Sequence, residues 1–165
     1  MRSTKVQRAT FVLIALAGAT IDLVTKSLVF ARVTYEVTVI NGCFSLVATR
    51  NTGTAFGLGR GYGWVFLLLS GAAIIAIPAW YFLQKHARWA VAVALGLILA
   101  GAIGNSVDRV TGDGVRDWLK FYWGSRVFPH FNVADSCVFC GAVTLLVESF
   151  FIKKPGKLTG GSEGG

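Results

Sequence analysis

The sequence has little charge for its length. Of its 165 residues only 15% are Asp, Glu, Lys or Arg, whereas 54% are hydrophobic. Soluble globular domains usually carry about 25% charged and about 45–50% apolar residues. This shortage of charge excludes a disordered chain, a nucleic-acid-binding tail and an ordinary cytosolic enzyme. The net charge of +8 therefore matters through its placement rather than through its size.

Histidine and cysteine are also scarce, with two and three residues. His86 lies in a short basic link and His130 has no obvious nucleophile beside it, which argues against Ser–His or Cys–His catalysis. Cys137 and Cys140 have C-x-x-C spacing, but they lie in an apolar stretch without a nearby histidine. We interpret them as small buried residues rather than a redox or zinc pair, and Cys43 has no obvious partner.

Long apolar runs are what the chain has in abundance. Four of them cover residues 9–30, 64–83, 89–107 and 133–152. About 20 apolar residues in a helix cross the roughly 30 Å hydrocarbon core of a bilayer, and in lipid the backbone has to satisfy its hydrogen bonds internally. The sequence therefore predicts an all-α membrane protein with four transmembrane helices. We expect a single domain over 1–152 and a disordered, low-complexity tail over 153–165.

The first run also has features of a cleaved signal peptide. It follows a basic start and contains the small-residue triplet Ala17-Gly18-Ala19. The apolar character resumes after Asp22 and continues to Phe30, however, so the run is long enough to span. We interpret it as a span, and a mature N-terminus at Thr20 would contradict that interpretation.

Basic residues are densest before the first run, between the second and third runs, and after the fourth. With four spans these three segments lie on one side of the membrane, which the positive-inside rule makes cytoplasmic. We therefore expect both termini inside the cell and the two longer segments, 31–63 and 108–132, outside. The basic residues of the inner side are Arg2, Lys5, Arg8, Lys85, Arg88, Lys153, Lys154 and Lys157.

The two outer segments differ in their patterns. Two β-like runs within 33–49 are joined by Asn41-Gly42, which is the strongest short signal for a β-hairpin. The following residues, 50–63, are rich in glycine and let the backbone approach a ligand closely. The stretch 115–123 has no clean period, so helix and strand both stay open. We expect a small extracytoplasmic hairpin, resting on the membrane surface or the helix ends, and a second outer loop.

Small residues and one acid mark packing positions within the spans. Gly96, Ala100 and Gly104 repeat every four positions, a spacing that lets another helix approach closely. Glu148 lies near the inner end of the fourth run, where snorkelling or pairing with a basic residue explains it.

Ionisable residues in or beside the spans are costly, and they are therefore candidates for function. Asp22 and Lys26 lie four apart and can pair on one helical face, either as a structural ion pair or as part of a site. Asn105, Asp108 and Arg109 can also share a face. For Asp108 and Arg109 the simpler role is a polar plug that holds helix ends together.

Two further acids lie near the start of the last run, Asp117 in the segment before it and Asp135 three residues into it. Asp117 fits a solvated loop acid, and Asp135 fits an acid favoured by the dipole at a helix N-terminus. With the predicted topology both converge with Asp22 and Asp108 on the outer boundary. Two carboxyls held close together in a low dielectric cannot both ionise easily, so one keeps a proton. Such a pair can activate water and protonate a carbonyl without a metal or a nucleophilic side chain.

Five stretches, in order, resemble the motifs of the bacterial lipoprotein signal peptidases, the signal peptidase II family. They are D-L-V-T-K (22–26), R-N-T-G-T-A-F-G (50–57), G-A-I-G-N-S-V-D-R (101–109), G-V-R-D-W (114–118) and F-N-V-A-D-S (131–136). The resemblance covers roughly residues 10–150 with four spans in the same order. The chain departs from the family beside the first catalytic aspartate, where Arg116 replaces the usual apolar residue.

The resemblance implies a membrane-embedded aspartic endopeptidase that is inhibited by globomycin-type compounds. It cleaves prolipoproteins immediately before a diacylglyceryl-modified cysteine, with Asp117 and Asp135 as the catalytic pair. It implies no cofactor or metal, diacylglyceryl-prolipoproteins and membrane lipids as partners, no nucleic acid, and a monomer. The expected location is the bacterial cytoplasmic (inner) membrane, with the site near the outer leaflet. Residues that map onto positions for substrate binding or support of the pair are Asp22, Lys26, Asn51, Gly53, Asn105, Asp108, Arg109 and Asn132.

Two other functions fit a four-span chain with buried acids. A small proton-coupled transporter would use Asp22 as its acid, although carriers place such acids near the midplane and make little use of long outer loops. Efflux lost on Asp22→Asn, with Asp117 and Asp135 dispensable, would favour it. A non-enzymatic membrane assembly factor predicts instead that Asp→Asn substitutions at these two positions leave activity in cells intact.

Overall fold

Four long helices make up most of the computed structural model, which describes residues 4–53, 62–85, 88–112 and 114–151. They are α1 (Thr4–Arg32), α2 (Gly63–Leu83), α3 (Trp89–Thr111) and α4 (Val133–Phe151). Each is long and apolar enough to cross a membrane, so the predicted four-helix membrane fold is confirmed. The first and third helices extend beyond the apolar runs 9–30 and 89–107, because polar residues continue the backbone hydrogen bonding at their ends.

Several sequence predictions fall on other positions. The tail 153–165, most of the glycine-rich segment at 54–61, and His86 lie outside the described residues.

Helix α3 is the centre of the bundle, because it packs against the other three helices. Its contact with α1 runs along the small residues that the sequence singled out. A Cβ atom on Gly96 would lie 2.9 Å from the carbonyl oxygen of Phe11, and one on Gly18 would lie 2.7 Å from Cβ of Ala100. The backbones of α1 and α3 are therefore close, and the predicted helix approach at Gly96, Ala100 and Gly104 is confirmed.

Helix α4 approaches α3 through its own glycine. A Cβ on Gly141 would lie 2.6 Å from the carbonyl oxygen of Ala94. The opposite side of α4 is apolar and exposed, as at Phe139 and Leu146, and such surfaces of a membrane protein face lipid. Cys140 is exposed on this side. The interpretation of Cys140 as buried is therefore wrong, because the helix turns its Gly141 face, not its Cys140 face, to the bundle.

A four-stranded antiparallel sheet covers one end of the bundle. Its strands are β1 (Val37–Ile40), β2 (Phe44–Asn51), β3 (Val115–Trp123) and β4 (Arg126–Val127), in that order across the sheet. The predicted hairpin at Asn41-Gly42 is confirmed, and Gly42 has a φ of +78°, which suits glycine. The stretch 115–123, left open by its pattern, is a strand. This strand, β3, pairs with β2 and so adds a third strand to the β1–β2 hairpin. A hairpin of two strands alone has only marginal stability in water.

The sheet joins the two long connections of the chain. In the β2–β3 register Thr49 lies opposite Asp117 and Arg50 lies opposite Arg116. Side chains alternate between the two faces of a strand, so Arg116 and Asp117 point in opposite directions. This register determines the position of Asp117 relative to the ends of the helices.

At the other end of the bundle an ion pair joins α3 and α4. Glu148 Oε1 lies 2.6 Å from Nε of Arg88, the residue that precedes α3. The expectation that pairing explains Glu148 is therefore confirmed, with Arg88 as the partner.

Candidate active site

Asp117 lies on β3 and is buried, with only 2% of its surface exposed. Its Oδ1 accepts a hydrogen bond of 2.7 Å from Nδ2 of Asn132, and its Oδ2 accepts one of 3.1 Å from Nδ2 of Asn51. The interpretation of Asp117 as a solvated loop acid is therefore wrong, because β3 pairs with β2 and turns this side chain inward. Gly53 completes the arrangement, since its N–H donates to Oδ1 of Asn51 over 3.0 Å.

The environment of Asp117 favours its protonated form. Burial, and after it the negative charge of Asp135, raise the pKa of Asp117 to about 7, although the amide donors of Asn51 and Asn132 act in the opposite direction. A carboxyl with such a pKa exchanges its proton near neutral pH, which is the property that general acid–base catalysis requires.

Asp135 lies in the first turn of α4 and is half-buried. Its Oδ1 accepts a 2.8 Å hydrogen bond from Nδ2 of Asn105. Its Oδ2 accepts the backbone N–H of Asn132 over 3.2 Å, while its own N–H donates to Oδ1 of Asn132 over 2.9 Å. These two reciprocal bonds form a capping box, which fixes the start of the helix and the direction of the carboxyl together.

Asn132 connects the two acids. Its side chain is fully buried, and its Nδ2 lies within hydrogen-bonding distance of Asp117 Oδ1 and also of Asn105 Oδ1, at 3.2 Å. Its Oδ1 and N–H bind Asp135 as described. Asn132 therefore orients both carboxyls. The two acids differ in their environment, because Asp117 is buried and Asp135 is half-buried.

A second layer of charge lies behind the pair. Lys26 is fully buried, and its Nζ lies 2.6 Å from Asp22 Oδ2, 3.0 Å from Asp108 Oδ2 and 3.0 Å from Asn105 Oδ1. The predicted Asp22–Lys26 pair is confirmed. The other carboxylate oxygen of Asp22 accepts the N–H of Ala134, at 2.8 Å, from the first turn of α4.

Asn105 links this layer to the acids, because its Oδ1 accepts from Lys26 while its Nδ2 donates to Asp135. Arg109 lies one turn further along α3. Its Nη1 donates to the carbonyl oxygen of Asn105 over 3.2 Å, and its guanidinium lies 5.7 Å from the centre of the Phe66 ring. The three polar residues that close α3 therefore share one region, in which Asn105 and Asp108 both contact Lys26 while Arg109 binds the backbone of Asn105.

The structure thus brings the ten predicted site residues to one end of the bundle. It also adds a residue that the sequence did not assign to the site. Arg116 binds Asp108 through its backbone N–H and its guanidinium. Its position beside Asp117 and its departure from the family pattern were the only signals, and neither indicates a partner.

Within the described ranges, no group of three or more His, Cys, Asp or Glu side chains is arranged to hold a metal ion. The site consists of two carboxyls, Asp117 and Asp135, that are largely shielded from solvent. Asparagine side chains orient them, and the ion pairs of Lys26 lie next to them.

Comparison with known proteins gives one consistent result. Residues 14–151 match the family model described as Signal peptidase (SPase) II. The chain is 38% identical over 148 residues to a lipoprotein signal peptidase of Symbiobacterium thermophilum, covering 88% of this chain and 97% of that relative. It is 39% identical to a lipoprotein signal peptidase of Rhodopirellula baltica, covering 86% of this chain and 72% of that one. A solved bacterial membrane enzyme structure, 27% identical, superposes with a TM-score of 0.78 over 91% of this chain and 94% of its own.

Proposed function

The chain belongs to the signal peptidase II family and is an aspartic peptidase, and on that premise we propose that Asp117 and Asp135 form its catalytic pair. The substrates are diacylglyceryl-modified prolipoproteins, whose signal peptides it removes by cleaving before the lipid-modified cysteine. The observation that carries this proposal is Asn132, which is hydrogen-bonded to both acids. Family membership favours this activity over a proton-coupled transporter or an assembly factor.

The proposed reaction divides one proton between the two acids. Because its pKa is raised to about 7, Asp117 is the member of the pair that holds the proton at rest. Asp135 takes a proton from water as the water oxygen attacks the scissile carbonyl, and Asp117 donates its proton to the carbonyl oxygen. When the tetrahedral intermediate breaks its C–N bond, Asp135 gives its proton to the leaving amine and Asp117 takes back the proton from the former carbonyl oxygen, which restores the starting state of the pair.

The surrounding amides support these roles. Asn51 and Asn132 hold Asp117 from two sides, while Asn105 holds one oxygen of Asp135. Positioned donors of this kind limit the movement of the reacting groups and keep their geometry through the reaction. Arg109 brings a positive charge to the same region, where it would favour the ionised member of the pair and bind polar groups of the substrate.

The position of the site suits a lipid-modified substrate. The acids lie where α3 ends, α4 begins and the sheet packs on them, so the acyl chains of such a substrate can stay in the bilayer while its scissile bond reaches the acids. We place this end at the outer leaflet of the cytoplasmic membrane, with both termini inside, because in the sequence the basic segments adjoin the opposite ends of the four helices. The unit over 1–152 acts as one peptidase domain and as a monomer.

The test is cleavage of a synthetic diacylated prolipoprotein peptide by the purified protein. We expect Asp117→Asn and Asp135→Asn each to lower kcat by about 10²- to 10⁴-fold, with thermal unfolding in detergent close to that of the wild type. Glu36→Gln is the matched control, because it removes an exposed carboxylate of the same end of the bundle and should retain activity. Wild-type-like turnover by Asp135→Asn would refute the pair, and strong inhibition by a chelator would indicate a metal.

A further inference from the structure

Arg116 holds Asp108 with three donors. Its backbone N–H lies 2.9 Å from Asp108 Oδ2, its Nε 2.9 Å from Oδ1 and its Nη2 2.7 Å from the same oxygen. The remaining nitrogen, Nη1, lies 3.3 Å from the hydroxyl of Ser27 on α1. The planar guanidinium, fixed at several of its donors, is therefore held to both α1 and α3.

This clamp acts on the strand that carries Asp117. Arg116 and Asp117 are neighbours on β3, and their side chains point to opposite faces of the strand. The contact of Arg116 with Asp108 therefore holds β3 against the end of α3 on the face opposite Asp117. Arg50 lies opposite Arg116 in the register, and the two guanidinium groups lie 5.7 Å and 6.0 Å from the centre of the Phe30 ring. The start of β3 is thus fixed to the end of α1 as well as to α3.

Arg116 also completes a balance of buried charge. Asp22, Lys26 and Asp108 are connected by ion pairs and have side chains that are 0–1% exposed. Taken alone, these three groups carry one excess negative charge. Arg116, whose side chain is 19% exposed, neutralises that charge. Asn105 connects the cluster to Asp135, so an excess charge in it would act on the acids at short range.

We propose that Arg116 is a positioning residue for the reaction, which holds the Asp117 strand against α3 and keeps the charge behind the Asp117–Asp135 pair balanced. This inference rests on the proposed function. Loss of a positive charge favours the protonated form of nearby acids. Removing the Arg116 guanidinium should therefore shift the acid and alkaline sides of the pH profile of kcat/KM to higher pH. The charged and titratable groups facing Asp117 and Asp108 are Asp22 and Lys26 from α1, Arg109 from α3, and Asp135 from α4.

The test is the pH profile of kcat/KM for diacylated peptide cleavage. We expect Arg116→Gln to move the profile upward by about 0.5–1 pH unit and to lower kcat about tenfold. Arg116→Lys, which keeps the charge but loses the fork, should leave the profile within about 0.2 unit of the wild type and lower kcat less. Arg126→Gln is the control, because it removes a positive charge from exposed strand β4, and it should behave as wild type.

A profile of Arg116→Gln that superposes on the wild type overturns the inference. If Arg116→Gln does not fold in detergent, the test uses Arg116→Lys instead. A pH profile of Arg116→Lys that is displaced from that of the wild type would also overturn the inference. Asp117→Asn, measured alongside, separates the two proposals. Cleavage by Asp117→Asn overturns the proposed function, whereas an inactive Asp117→Asn with an unshifted Arg116→Gln overturns only the role of Arg116.

Discussion

Replacing Lys26 by methionine removes the cation from a fully buried cluster. The change leaves Asp22 with one hydrogen bond, from the N–H of Ala134, and leaves Asp108 with Arg116. A methionine has nearly the length of the lysine stem, so the loss is mainly of charge rather than of packing. The main consequence is an unpaired carboxylate at Asp22, whose side chain is 0% exposed.

The size of the effect follows from two estimates. Removing one partner of a buried ion pair costs about 3–5 kcal/mol. The carboxyl can escape by taking a proton, which for an ordinary aspartic acid costs about 4 kcal/mol at pH 7. Both estimates agree, and they correspond to a rise of roughly 10²- to 10⁴-fold in the equilibrium constant for unfolding. The penalty should shrink by about 1.4 kcal/mol for each pH unit below 7, because protonation becomes easier.

The measurement is reversible unfolding of the purified protein in mixed micelles, followed by circular dichroism at pH 7 and pH 5. Two variants serve as controls. Lys120→Met breaks the ion pair with Glu36 at the partly exposed edge of the sheet and should have little effect. Asp22→Asn combined with Lys26→Met removes both charges, and it should recover at least half of the loss. A cost below about 1 kcal/mol for Lys26→Met, unchanged between the two pH values, would refute the reasoning.

Two more predictions concern stability. The pKa of Asp117 is raised from 3.8 to about 7 in the folded chain, so the folded state holds a proton that the unfolded state releases. The free energy of unfolding should therefore fall as pH rises from about 4 to about 7 and then level off. Asp117→Asn should flatten this slope, and an unchanged slope would contradict the assignment. Gly104→Ala should cost about 1–3 kcal/mol, because its Cβ would press on the carboxylate of Asp22. Gly71→Ala, with nothing within 4 Å, should stabilise by about 0.5–1 kcal/mol, and equal effects of the two in thermal unfolding would count against the packing argument.

The features that could be predicted from the sequence depend on local spacing. Apolar runs of about 20 residues were enough for the four helices, since lipid leaves the backbone few alternatives. The i, i+4 spacing was enough for the Asp22–Lys26 pair. Asn41-Gly42 was enough for the hairpin, because this dipeptide readily adopts the positive φ that tight turns require, as Gly42 does here.

The features that could not be predicted depend on pairing between distant segments. Residues 115–123 lack a clean strand pattern because charged side chains occupy both faces of β3: Asp117 is buried on one face and Arg116 is bound to Asp108 on the other. The role of Arg116 depends on how the sheet meets the helix ends, which no local spacing encodes. Asp117 fitted a solvated acid for the same reason, since its burial comes from Asn51 and Asn132, which lie 66 and 15 residues away along the chain.

The pairing of Asp22 with Lys26 inside a single helix also bears on how the protein is made. Because Asp22 and Lys26 are the only charged residues of the apolar run 9–30 and lie one turn apart, this run can enter the bilayer as an electrically neutral segment before any later helix is inserted. The same aspartate later receives the N–H of Ala134 on the last helix to emerge. The carboxylate of Asp22 on α1 thus provides the hydrogen-bond acceptor that α4 binds when it packs into the bundle.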